Sequence, residues 1–279
     1  MKDMLKDYYR SLNVDEKVFE YCSSVEKKLK DRFADIDAVC EINQLKVLKA
    51  MQDNRLSEAH FAGSSGYGYT DDGRDALERI YADVFHTEDA LVRTQIVCGT
   101  HALCTAMFGN LRPGDEILAI AGKPYDTLDE IIGIRDSRGS LAEYGVTYAQ
   151  VDLLPNGDFD IDGIKNAINS RTKLVEIQRS KGYAVRKTLS VQQIGEAIKA
   201  VKSVNPDIIC MVDNCYGEFV QDIEPSDVGA DLVVGSLIKN PGGGLAPIGG
   251  YIAGTKECVE QAAYRLSSPG LGKEVGATI

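Results

Sequence analysis

The chain has no run of lysine and arginine, no apolar stretch approaching a membrane span, only three histidines and no C-x-x-C pair. Each shortage removes a class of function. Nucleic acid and anionic membranes are held by clustered positive charge, and here 31 basic residues face 42 acidic ones for a net charge of −11. Neither is expected as a partner. A spanning helix needs about 20 apolar residues in a row, and the opening M-K-D-M-L-K-D-Y-Y-R lacks the apolar core of a secretory signal. A cytoplasmic location is therefore expected. The seven cysteines, at 22, 40, 98, 104, 210, 215 and 258, are odd in number and mostly lie in apolar segments, so they read as reduced core residues. With so few histidines, and only His101 near two cysteines, no metal site is expected.

What remains is enough for a folded enzyme-sized core, since 279 residues with 44% hydrophobic content bury a large apolar interior. Asn13 with Glu16 resembles a capping box, followed by helical spacing through Val18, Cys22, Val25 and Leu29. A second helix is expected over 36–51. Next comes H-F-A-G-S-S-G-Y-G-Y-T-D-D-G-R at 60–74, a loop in which Tyr67 and Tyr69 alternate with glycine. It suits either a surface turn or a segment that presents its aromatics to a ligand.

From residue 75 the periodicity alternates. Helical spacing is expected over 75–85, 103–111, 128–134 and 191–204, and strands over 90–97, 116–121, 146–151, 172–178, 208–212 and 231–235. That alternation predicts an α/β fold with a largely parallel sheet. Asp158, Asp160 and Asp162 imitate the start of a calcium loop, but Asn169 stands where a bidentate glutamate is required, so the run reads as a turn and a helix cap.

Chemistry collects where strands end. Cys98-Gly99-Thr100-His101 joins a strand to a helix, and free N–H groups plus the helix dipole make such a junction an anion site. It is neither a Walker loop nor G-x-G-x-x-G. His101 suits a ligand contact or a structural role at the helix start. Tyr125 lies just past a strand, placed to lie on a planar ligand or to pack in its loop. Asp213 closes the apolar run 208–212, and a buried carboxylate needs a cation or strong donors. Lys239 follows a short apolar strand and precedes Gly242, Gly243 and Gly244. Burial there is expected to lower its pKa and favour imine formation, although an isolated S-x-x-K-N-x-G match also fits a solvated loop lysine. One ligand uses all four features: pyridoxal 5′-phosphate (PLP), whose aldehyde bonds a lysine, whose ring nitrogen bonds a carboxylate, whose phosphate suits a helix N-terminus and whose ring accepts a stacked aromatic.

The motifs C-G-T-H-A, K-P-Y-D-T-L, V-D-N-C-Y-G-E-F and S-L-I-K-N-P-G-G-G, with H-F-A-G-S-S-G-Y-G-Y before them and P-G-L-G-K-E-V-G-A-T after, resemble the aluminium-resistance or methionine gamma-lyase-like family of PLP enzymes. That family is a relative of the cystathionine lyases and synthases. The resemblance runs from about residue 10 onward. It implies the aspartate-aminotransferase-like fold (PLP fold type I), with 1–60 as an N-terminal helical segment and 61–279 as the PLP-binding large domain, its mostly parallel mixed sheet flanked by helices. It also implies a catalytic Lys239 bonded to PLP, Asp213 on the pyridine nitrogen, Tyr125 on the ring, and Gly99, Thr100 and Ser236 on the phosphate. Tyr67 and Tyr69 would reach a neighbouring subunit's cofactor, so a homodimer or homotetramer is expected, while Arg179 and Ser180 would lie near the phenolate oxygen or the substrate. The implied reaction is carbon–sulfur elimination from a sulfur-containing amino acid. An aldolase, a transaminase and an incomplete scaffold are the alternatives. Family members continue into a C-terminal small domain that grips the substrate carboxylate, whereas this sequence ends 40 residues after Lys239 (279 − 239), so that domain is expected to be missing.

Overall fold

The structure, a computed structural model, describes residues 2–276. Packing divides the chain into two units, Met1–Gln44 and Leu45–Ile279, a break that falls ahead of the boundary at residue 60 drawn from the sequence. In the first unit, α1 (Lys2–Ser11) and α2 (Glu16–Lys28) meet through Tyr9 and Phe19, whose ring centroids are 5.2 Å apart. The cap of α2 differs from the sequence expectation. Asp15 accepts from the Lys17 N–H at 2.8 Å, one residue before the helix, whereas Asn13 adopts φ 62° in the turn that ends α1. Asparagine tolerates that left-handed backbone well, so its role is to reverse the chain, not to cap the next helix. The long α3 (Lys30–Asp53) contains the expected 36–51.

The second unit is built on seven strands: β1 (Asp89–Arg93), β2 (Glu116–Ala119), β3 (Thr147–Gln150), β4 (Thr172–Gln178), β5 (Ile209–Asp213), β6 (Leu232–Ser236) and β7 (Gly250–Gly254). Their spatial order is β1-β7-β6-β5-β4-β2-β3. β7 is antiparallel to both β1 and β6, and every other pairing is parallel, so the remaining six strands run one way and end on one edge. This is the expected α/β class with a mostly parallel mixed sheet flanked by helices.

Alternation along the strands sends side chains to two separate cores. On one face Val175, Val212 and Val233 pack with Ile80 of α4 (Asp72–Val84), Ile164 of α7 (Ile161–Ala167) and Ile198 of α8 (Val191–Val204). On the other, Leu174, Met211 and Val234 pack with Met107 of α5 (Gly99–Asn110), Ile132 of α6 (Asp129–Ile132) and Val259 of α9 (Lys256–Leu266). Truncating such a side chain to alanine costs about 2–5 kcal/mol. The same alternation decides where the polar strand ends point. Asp213 and Ser236 stand two residues beyond Met211 and Val234, and therefore on the α5 face.

Several element ends are set by local chemistry. Asp160 caps α7 by accepting from the Gly163 N–H at 2.9 Å, the turn-and-cap reading of the D-x-D-x-D-G run. The expected helix over 128–134 contracts to a 3-10 turn and the four-residue α6, because Gly133 at φ 94° ends it. Among the described residues no helix is long and apolar enough to cross a membrane.

Candidate active site

At the shared strand edge a cavity of about 380 Å³ is lined by Gly99, Thr100, Tyr125, Asp213 and Lys239, five of the residues expected from the sequence. The sheet brings them together. Gln178, Asp213 and Val234 form one row across β4, β5 and β6, and α5 begins directly above it. A Cβ at Gly99 would come within 3.2 Å of both the Cys215 sulfur and the Ser236 Cβ, so the helix start is seated as closely on β6 as a residue without a side chain permits.

The first turn of α5 is open to an anion. Its N-cap, Cys98, makes no side-chain cap hydrogen bond, which leaves first-turn N–H groups and the helix dipole directed at the cavity. The Thr100 and Thr127 hydroxyls are 2.9 Å apart at its margin. Beneath it the Ser236 hydroxyl is buried, without a hydrogen-bond partner among the described residues.

The acid and the amine face each other electrically. Asp213 is 5% exposed and its Oδ1 accepts from the Cys215 N–H at 3.0 Å. Burial pushes its carboxyl above the ordinary range, against the pull of Cys215 and of the Lys239 charge. Lys239 departs from expectation. Burial pulls its ammonium down, but Cys215, by charge and hydrogen bonding, together with Asp213 and Tyr216, outweighs that and leaves the pKa raised. The sequence placed the lysine at the strand end without revealing how many negative or electron-rich groups surround it.

Tyr125 stacks on Tyr183, centroids 5.7 Å apart and planes 25° from parallel. A hydrogen bond with Tyr183, with burial next, raises its phenol to about 12, so it stays neutral. Ser180 also lines the cavity. Arg179 turns away from it. Its guanidinium is 1% exposed and donates to Asn214 Oδ1 and the Gly217 carbonyl, both at 2.8 Å, and to Gln221 Oε1 at 3.0 Å, with Glu224 at 3.5 Å. His101 is also directed elsewhere. Its Nδ1 accepts from the Val97 N–H at 3.2 Å, and it lines a second cavity with Arg93, Cys104 and Arg265. Tyr67 and Tyr69 do not line the cavity; they lie edge to face, 6.1 Å apart, and are 81% and 59% exposed.

Sequence reasoning missed Cys215, Tyr216, Thr127, Lys181, Gly182, Tyr183 and Thr188. Three of them lay in motifs already singled out, Thr127 in K-P-Y-D-T-L and Cys215 with Tyr216 directly after Asp213-Asn214.

This arrangement matches known proteins along nearly its whole length. A family model described as methionine gamma-lyase covers residues 18–279. The chain belongs to the methionine gamma-lyase family. It is 53% identical over 246 residues to uncharacterized protein YnbB of Bacillus subtilis, covering 88% of this chain and 58% of YnbB. The structure of a carbon-sulfur lyase involved in aluminum resistance from Clostridium novyi NT superposes with TM-score 0.94 at 49% identity, covering 98% of this chain and 66% of that one. The L-methionine gamma-lyase of Treponema denticola is 26% identical over 203 residues, 71% of this chain and 46% of that protein. The chain thus spans roughly half to two thirds of the length of these relatives.

Proposed function

We propose that this chain carries the cofactor site of a PLP-dependent carbon–sulfur lyase acting on a sulfur-containing amino acid, a small-molecule substrate. One observation carries the reading: Lys239, Asp213, Tyr125 and the first turn of α5, far apart in sequence, line a single cavity. The residues present fit the cofactor. The uncapped α5 turn and the partnerless Ser236 hydroxyl suit its phosphate, and Gly99 leaves the room. Asp213 is forced up by burial in spite of the Lys239 charge, and a protonated pyridine nitrogen would add a cation directly at the carboxylate. Tyr125 offers an aromatic ring at the cavity wall.

When bound, PLP supplies an electron-accepting ring that stabilises negative charge on the substrate carbon next to the amine. Everything else falls to the chain. Asp213 would hold the ring nitrogen and keep it protonated, Tyr125 would orient the ring, and Nζ of Lys239 would take a proton from the substrate and return it. Carbon–sulfur cleavage is the activity for which the L-methionine gamma-lyase and carbon-sulfur lyase relatives are named. Tyr67 and Tyr69, exposed and turned from this chain's own cavity, suit contact with a second subunit.

The test is product analysis. Purified chain saturated with PLP should release a thiol and a 2-oxo acid from L-methionine or L-cystathionine, and Lys239→Ala should abolish it. Amino-group transfer without thiol release would replace elimination by transamination. Absence of both would leave a scaffold.

A further inference from the structure

The Lys239 amine has a partner that the proposed chemistry does not use. Nζ lies 4.3 Å from the centroid of the Tyr216 ring, a cation–π distance. Tyr216 reaches it through a backbone that a tyrosine adopts only at a cost, φ 67° in the left-handed region. The surroundings enforce it. Arg179 Nη1 grips Asn214 Oδ1 and the Gly217 carbonyl on either side, Asn214 Nδ2 donates to Glu224 Oε2 at 3.0 Å, and Glu224 Oε1 accepts from the Phe219 N–H at 2.7 Å. Arg179, Asn214 and Glu224 are each at most 1% exposed, so this loop is fixed from beneath, while Tyr216 itself is 63% exposed. A buried network that clamps the chain at Asn214 and Gly217, on either side of a strained, exposed tyrosine, has no evident packing reward at the tyrosine. Its product is the position of one aromatic face.

We infer that Tyr216 is a positioning residue for Lys239, its ring a seat for the protonated amine. Lysine is a flexible side chain on four carbons, and the seat keeps Nζ over the cavity whenever it carries a proton. The other titratable groups around that amine are Asp213 from β5, Cys215 beside Tyr216, and Tyr125, Lys181 and Tyr183 at the cavity wall. The catalytic consequence rests on the function proposed above; the seat itself does not.

Competitive trace acetylation of the apo chain across pH, with peptide mass spectrometry, reads the titration of Lys239 without any cofactor. Tyr216→Leu should make Lys239 more reactive at pH values below its midpoint, by about 2- to 30-fold for loss of a cation–π contact. Tyr216→Phe, which keeps the ring, should follow the wild-type profile. Tyr216→Asn, better suited to the left-handed backbone, should reproduce the leucine variant if leucine fails to fold. The seat is refuted if Leu and Asn profiles superimpose on wild type, or if Phe shifts as far as they do. Coupling to PLP is scored separately: a chain showing the shift but never binding PLP keeps the seat and loses the proposed function, and the converse removes the seat alone.

Discussion

Replacing Glu176 with glutamine should flatten the fall in stability expected as pH rises past the range of an ordinary carboxylate. Glu176 sits on β4 with no exposed surface, and neither carboxylate oxygen has a hydrogen-bond partner among the described residues. Burial, then the nearby charge of Asp213, raises its pKa from 4.5 to about 8, with Arg186 opposing weakly. The sign follows from proton counting. Between those values the unfolded chain has shed the proton that the folded chain keeps, so stability declines with pH, by about 1.4 kcal/mol per unit for one group. Over that interval the loss is roughly 5 kcal/mol, complete only above about pH 8. Against a typical domain stability of about 5–15 kcal/mol, that is large. Glu218, raised to about 7 mainly by burial, declines in the same direction, so the variant loses one proton's share of the slope and not all of it. Urea denaturation near pH 5 and near pH 9 measures it: wild type should lose several kcal/mol more than Glu176→Gln. Identical pH dependence in the two proteins would show that Glu176 is ionised in the fold, and the burial argument would fail.

Other substitutions test the parts separately. Gly99→Ala places a Cβ 3.2 Å from the Cys215 sulfur and the Ser236 Cβ; it should cost about 1–3 kcal/mol in urea melts and weaken inorganic phosphate binding by calorimetry. Arg179→Met strands Glu224 within a buried ion pair and should destabilise by about 3–5 kcal/mol, visible as a lowered thermal midpoint. Ser190→Ala removes the α8 cap, whose hydroxyl accepts from the Gln193 N–H at 3.2 Å, and should cost about 1 kcal/mol in the same melt without altering the cavity.

Much of this was legible in the sequence where the pattern was strong and local. β4 over 172–178 and α8 over 191–204 fall where periodicity places them, because β-branched apolar residues and a Ser-x-x-Gln cap agree with the tertiary fold. β7 was not anticipated: Gly-Tyr-Ile-Ala-Gly is short and flanked by glycine, and only its place between β1 and β6 makes it a strand. In the site, Asp213 and Lys239 announced themselves as charges that close apolar strands. Tyr216 stood in the same motif as Asp213, but what it does was not legible there, since that depends on a left-handed backbone held by Arg179 and Glu224 from elsewhere in the chain. His101, one residue past Thr100, illustrates the limit of motif reading. A helix turns by 100° per residue, and that step carries the imidazole out of the cavity toward Val97.

The proposed chemistry requires Lys239 and Asp213 to serve one cofactor. The most direct measurement is to incubate the purified chain with PLP, reduce with borohydride and map the added mass by peptide sequencing. Modification confined to Lys239 in the wild-type chain, and strongly diminished in Asp213→Asn, is the predicted result. Mass scattered over surface lysines, or retained in full when Asp213 is replaced, would contradict it.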